Sequence, residues 1–171
     1  MAVTLTELNA GDATAFVAVC GPCYEHSPWV AERVAALRPF SSREAVHAAL
    51  ERAVAEAADA EQLALIRAHP DLVGRAARAG RLTSASTGEQ AAAGLLALAP
   101  EEVAAFTRYN AAYQEKFGFP FVICARENKK DAILAAFPRR LAQTAAEERT
   151  TALREIGRIA WLRLCDAVVE G

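Results

Sequence analysis

Apolar residues recur three and four positions apart along most of this chain, with polar and charged residues filling the positions between them. That spacing predicts amphipathic helices rather than half-buried strands. The opening LTELN reads as a short helix or turn, and Asp12 is placed to cap a helix that carries Phe16, Val17 and Val19 and stops near Gly21-Pro22. Ser27-Pro28 predicts an N-cap followed by proline at the first helical position, where its missing N–H is not needed. The helix it opens runs through Val30, Val34 and Leu37 to Pro39. Ser41 and Glu44 stand three apart, as a capping box requires, before a long helix with Val46, Leu50, Val54 and Ala57 on its apolar face.

A shorter helix, Glu61 to Arg67, presents Leu63 and Ile66 and must stop at His69, because Pro70 pushes the residue before it out of the α region. Leu72 to Ala79 reads as one or two helical turns ended by Gly80. Ser86 and Glu89 form a second capping-box pattern before AAAGLLALA, which puts a helix start at that small-residue turn. Pro100-Glu101-Glu102 begins a helix with Val103, Phe106, Tyr109, Asn110 and Tyr113 at helical spacing. The FGFPFVICA stretch after it is extended or looped, since Pro120 opposes helix in Phe119. Asn128 is placed to cap a helix through Ile133, Leu134 and Phe137, and Thr144 with Glu147 caps a last, long one with Leu153, Ile156, Ile159, Ala160 and Leu164 as its stripe. No repeat or linker divides the sequence, so residues 1–171 read as a single all-α domain, a bundle of seven to nine helices.

Composition narrows this further. At 171 residues the chain can bury roughly 70% of its unfolded surface. Alanine dominates its apolar residues and only 7% of positions are aromatic, which favours close-packed helices over sheet. A formal charge of −2 excludes a global basic footprint for nucleic acid, and metabolite or protein partners are the default. Nowhere are there the roughly 18 uninterrupted apolar residues of a membrane span, and no basic region leads an apolar run at the N-terminus. Cys20, Cys23, Cys124 and Cys165 are too few and irregular for a disulfide framework. A cytoplasmic protein is expected, and the final VVEG has no visible targeting tripeptide.

Chemistry concentrates in His69 to Gln90, HPDLVGRAARAGRLTSASTGEQ. His69, held extended by Pro70 between two helices, has a fixed backbone and an imidazole able to exchange a proton near neutral pH. The bland alternative is that Asp71 caps a helix starting at Leu72 and HPDL is only a turn. Glu89 likewise reads either as the acidic arm of a capping box or, with Gln90, as a ligand-orienting group at a helix N-terminus offering free N–H groups. Arg75, Arg78, Arg81 and Lys116 read as a solvated face, or one of them screens an anionic substrate. The backbone groups of FGFPFVICA must find partners, and a flat heterocycle rich in amides would be one. Cys20-Gly21-Pro22-Cys23 has the letters of a thioredoxin site, but a helix-like stretch precedes it and no βαβ pattern follows. Cys20, Cys23 and His26 would supply three zinc ligands where a structural site needs four, so no metal is expected. His26 orients the SPW turn or lines a pocket.

Four blocks taken together, EHSPWVAERVAALRPF, AHPDLVGRAARAGRLTSASTGEQAAAGL, FTRYNAAYQEKFGFPFVICA and ALREIGRIAWLRL, resemble the 2-oxo-4-hydroxy-4-carboxy-5-ureidoimidazoline (OHCU) decarboxylase family over nearly the whole chain. The resemblance implies an all-helical, usually dimeric enzyme without cofactor, which converts OHCU to (S)-allantoin at the end of urate breakdown. It implies His69 as the catalytic histidine with Pro70 packed on the substrate. Ser86, Thr87, Gly88, Glu89 and Gln90 would hold the ring and ureido groups, with Glu89 also taking part in catalysis. The stretch Phe121, Val122, Ile123, Cys124 and Ala125 would hold the substrate through its backbone, and Arg163 would contact it, with Arg158 near enough to compete for that role. A decarboxylase or lyase acting on a related ureide, a thiol oxidoreductase and a noncatalytic helical module are the alternatives.

Overall fold

The computed structural model describes residues 2–74, 77 and 79–170. Among them are nine α-helices: α1 (Leu5–Ala10), α2 (Ala13–Cys20), α3 (Trp29–Val34), α4 (Arg43–Ala55), α5 (Asp59–Ala68), α6 (Ser84–Ala92), α7 (Pro100–Phe117), α8 (Lys130–Leu141) and α9 (Ala145–Ala167). The protein is all-α. Its strand content among the described residues is one pair, β1 (Val3–Thr4) and β2 (Val168–Val169), parallel with Val3 opposite Val168. No helix among the described residues is long and apolar enough to cross a membrane.

The chain forms two compact units, residues 1–68 with 157–171 and residues 69–156. In the first, α3 packs on α4, and Phe16, Val30, Val34, Val46, Leu50, Leu65, Ile66 and Leu164 are buried. These are largely the residues whose spacing predicted the apolar faces. Asn9 ties the loop before α4 in place, donating to the Phe40 carbonyl and accepting from the Phe40 N–H.

The second unit is built around aromatic side chains. Phe121 stacks on Phe137 with centroids 3.9 Å apart, and Tyr113 meets Phe121 edge-on at 5.4 Å. Buried pairs of this kind contribute about 0.5–1.5 kcal/mol beyond the area they remove from water. α7 ends at Gly118, whose φ of 72° is the left-handed cap that glycine adopts without strain. Beyond it residues 118–124 are nonhelical, as Pro120 predicted.

Helix starts moved by a residue or more at several places. Ser42, not Ser41, caps α4, accepting from the Ala45 N–H. Ser27 does not cap α3: its hydroxyl donates to the Glu25 carbonyl, and Pro28 is the cap. Asn128 is likewise drawn off to the Cys124 carbonyl, leaving Lys129 before α8. Short polar side chains bond whichever backbone group the tertiary structure brings close, and Ser27 and Asn128 found partners outside their expected helix. α8 also continues past Phe137 through Pro138 to Leu141. A proline in a helix interior removes a bond at a cost of about 3 kcal/mol, and here the extension delivers Arg140 to a buried site.

Candidate active site

His69 follows α5 immediately and is buried, while Pro70 beside it is half-buried. The next residues form a tight turn in which the Gly74 N–H donates to the Asp71 carbonyl at 3.3 Å. Val73 occupies the third turn position with φ of 54°. A turn with positive φ there asks for glycine or asparagine, and a β-branched residue held in that region costs about 1–3 kcal/mol. Gly74 is required by space: a Cβ on it would sit 2.6 Å from the Asp71 Cβ. The Asp71 carboxyl is raised above its ordinary range by burial. Arg75, Ala76 and Arg78 of the predicted Leu72–Ala79 turns lie outside the described residues; Arg81 is exposed.

α6 begins three residues earlier than its sequence pattern predicts. Thr83 is the cap, its hydroxyl accepting from the Ser86 N–H at 3.2 Å, so the Ser86–Glu89 capping box is not formed. Ser86 and Gln90 face inward and are buried, Thr87 and Gly88 are exposed, and Glu89 is half-buried. Glu89 and Gln90 therefore lie inside the helix and not at its N-terminal amides. Gln90 is the joint between segments. Its Oε1 accepts from the Val73 N–H at 3.1 Å, which fixes the orientation of the amide. Its Nε2 is then a buried donor with no hydrogen-bond partner among the described residues.

The third predicted segment, Phe121 to Ala125, is brought to the same helix. α6 packs against the 3-10 turn Ala125–Glu127, and the Lys130 N–H donates to the Ala93 carbonyl just past the end of α6. Phe121, Val122, Cys124 and Ala125 are buried and Ile123 half-buried. Side chains satisfy the backbone of this stretch: Arg140 donates to the Val122 carbonyl, Asn128 to the Cys124 carbonyl, and the Cys124 N–H donates to Glu155 at 3.0 Å. Arg140 lies over the Phe121 ring at 4.2 Å and pairs with the buried Glu148, which also accepts from Tyr113. Arg140, Glu148 and Glu155 were not anticipated from sequence. On a helical pattern each reads as part of a solvated face, and nothing in the spacing reports a distant partner.

In the other unit, Arg163 is buried and donates to Glu25 at 2.9 Å and to the Pro22 carbonyl at 3.3 Å, whereas Arg158 is exposed. Glu25 was also missed, although it opens the EHSPW block. Lys116 is exposed and donates to the Leu141 and Gln143 carbonyls at the end of α8. A groove of about 370 Å³ lined by Arg33, Val34, Leu37, Ala49, Arg52 and Glu61 contains none of the sequence-predicted site residues.

The cysteines do not have the character a redox pair needs. Cys20 and Cys23 are buried, and burial above all pushes both thiols up to about 12; the neighbouring Cys23 adds to the effect on Cys20. His26 points outward with 70% of its side chain exposed, away from both thiols' buried setting, and no group of three metal-binding side chains forms among the described residues. Burial raises Cys124 to about 11. Because these acids hold their protons more tightly folded than unfolded, their stabilising contribution is complete below the unfolded thiol value, about 8.5, and is lost as pH rises toward 12. Urea melts at rising pH are expected to show falling stability above about pH 9. Native iodoacetamide labelling should favour the half-buried Cys165; rapid labelling of Cys20 or Cys23 at pH 8 would contradict the burial account.

The family model of OHCU decarboxylase matches residues 9–165. The chain belongs to the OHCU decarboxylase family. Among relatives, it is 45% identical to the 2-oxo-4-hydroxy-4-carboxy-5-ureidoimidazoline decarboxylase of Haloferax volcanii, covering 96% of this chain and 95% of that one. The protein of the same name from Amia calva is 40% identical over 96% of this chain and 94% of its own. Among solved structures, an (S)-allantoin synthase matches with a TM-score of 0.80 at 28% identity over 98% of this chain, which spans 54% of that longer one.

Proposed function

We propose that this OHCU decarboxylase family member catalyses the cofactor-independent decarboxylation of OHCU to (S)-allantoin, the last step of urate degradation. The observation that carries the reading is the Gln90 amide: one end is anchored to the turn that follows His69, and the other is a buried donor with no partner among the described residues. A buried amide N–H left unbonded costs about 1–3 kcal/mol, and a ring or ureido carbonyl of the substrate is the acceptor that would remove that cost.

The substrate carbon that bears the carboxylate also bears a hydroxyl and adjoins a C=N bond. When the C–CO2 bond breaks, its electron pair forms a double bond to the neighbouring ureido-bearing carbon while the C=N nitrogen takes up a proton. The hydroxyl of the resulting enol then gives up its proton to become the ring carbonyl as a proton is delivered to one face of the ureido-bearing carbon. The protein's task is to hold the carboxylate out of the ring plane, exclude water and supply the proton; orientation and fixed dipoles account for most of the acceleration. His69 bonds the substrate hydroxyl and acts as acid or base. Glu89 fixes the ring and assists the proton, with Pro70, Ser86, Thr87, Gly88, Gln90 and the 121–125 backbone as binding groups. Arg163 enters through the sequence resemblance alone. The family match crosses both compact units, which supports reading the chain as one functional domain. A cytoplasmic homodimer completes the proposal, and light scattering on the purified protein tests its dimer.

The test is circular dichroism during urate breakdown, with urate oxidase and hydroxyisourate hydrolase generating OHCU in situ. A rapidly growing signal of one allantoin enantiomer is expected. A slow, racemic product matching the blank would overturn the assignment and turn attention to related ureides.

A further inference from the structure

The Leu72–Val73 peptide is gripped from both of its polar ends by side-chain amides on two different helices. Gln90 of α6 accepts from the Val73 N–H at 3.1 Å, and Asn110 of α7 donates through Nδ2 to the Leu72 carbonyl at 2.8 Å. The peptide held this way leads into Val73, whose φ of 54° is a conformation that a β-branched residue does not adopt unaided. Asn110 has no competing use: its Oδ1 has no hydrogen-bond partner among the described residues, and a carbonyl can be met only by the amide nitrogen.

We infer that Asn110 is a positioning residue for the reaction, holding the strained Asp71–Gly74 turn so that His69 is presented in one orientation. The link is short and stiff. Only Pro70, with its φ locked by the ring, and Asp71, whose carbonyl closes the turn onto Gly74, separate His69 from the gripped peptide. Relaxation of Val73 toward negative φ would therefore swing the segment that carries the imidazole and loosen the Gln90 amide, while leaving the α6 backbone in place. The inference rests on the decarboxylase reading above for its kinetic half, and its structural half is tested separately.

Asn110→Ala is expected to lower kcat about ten- to a hundredfold with KM within about threefold, the loss that a misplacement near 1 Å produces. Asn110→Asp keeps the size of the side chain but faces a carboxylate oxygen to the Leu72 carbonyl, so it should lose as much, and it carries the test if the alanine variant does not fold. In a Val73→Gly background, where the residue takes positive φ without help, Asn110→Ala should lower kcat by less than about threefold. Independently of activity, hydrogen exchange at the Val73 amide is expected to accelerate in Asn110→Ala. Wild-type protein inactive on OHCU would remove the decarboxylase reading while the exchange result still reports on the grip. An unchanged kcat, an equal loss in both Val73 backgrounds, or unchanged Val73 exchange would each overturn the inference.

Discussion

His69→Ala is expected to lower kcat for OHCU decarboxylation by about 10²–10⁴, the range that a positioned general acid or base supplies. Several independent features converge on this residue. It is buried, it is followed by a proline, and the turn after it is tied through Gln90 to α6, which carries the other candidate polar groups. KM should change much less than kcat, because the ring-binding groups on α6 and in the 121–125 stretch are untouched. His69→Asn separates two roles, since it retains a hydrogen-bonding side chain but cannot exchange a proton near neutral pH. If proton delivery is the role, asparagine loses as much as alanine; if the imidazole serves only to hold the hydroxyl, asparagine recovers much of the rate. Near-normal turnover in His69→Ala would remove it from the mechanism altogether.

The largest expected effect on stability lies in the Arg140–Glu148 pair. Both residues are buried, and Arg140 also donates to the Val122 carbonyl and stacks on Phe121. Removing one member of a buried pair leaves the other charged and uncompensated, at a cost of about 3–5 kcal/mol. Glu148→Ala should therefore lower the urea midpoint by that equivalent, and it further strips the Tyr113 hydroxyl of its acceptor. Replacing both by methionine removes the unpaired charge, so the double variant is expected to be more stable than Glu148→Ala despite carrying two changes. It should still be impaired in turnover, because the Val122 carbonyl loses its donor and the candidate substrate-holding backbone loses its brace. A Glu148→Ala midpoint shift worth under about 1 kcal/mol would mean that the pair is solvated enough to resemble a surface one.

These two expectations differ in how far they were legible beforehand. His69 and the STGEQ and FPFVICA segments stand out in the sequence because proline, small residues and a nonhelical apolar run interrupt an otherwise regular pattern. Arg140 did not. The expected helix reached only Phe137, and Pro138 hid the extension that carries the arginine inward. Glu148, Glu155 and Glu25 were equally silent, since a charged residue on an amphipathic helix has the same local pattern whether its partner is water or a buried arginine. The misplaced caps at Ser27, Ser41, Ser86 and Asn128 have a related origin. Each side chain is competent to cap, and which backbone group it bonds depends on what is packed nearby.

The sequence by itself determined the helical class, the positions of the long helices, the break at His69-Pro70, the nonhelical stretch after Gly118 and the family. All of these follow from periodicity, from the geometry of proline and glycine, or from the order of the blocks. Only the tertiary structure decided that Gln90 and Asn110 grip the Leu72–Val73 peptide, that Arg140 braces Val122, and that Cys20 and Cys23 are sealed from reaction. Local patterns constrain backbone torsions and the faces of helices, whereas hydrogen-bond partners and desolvation arise between segments tens of residues apart, and those are set only when the chain packs.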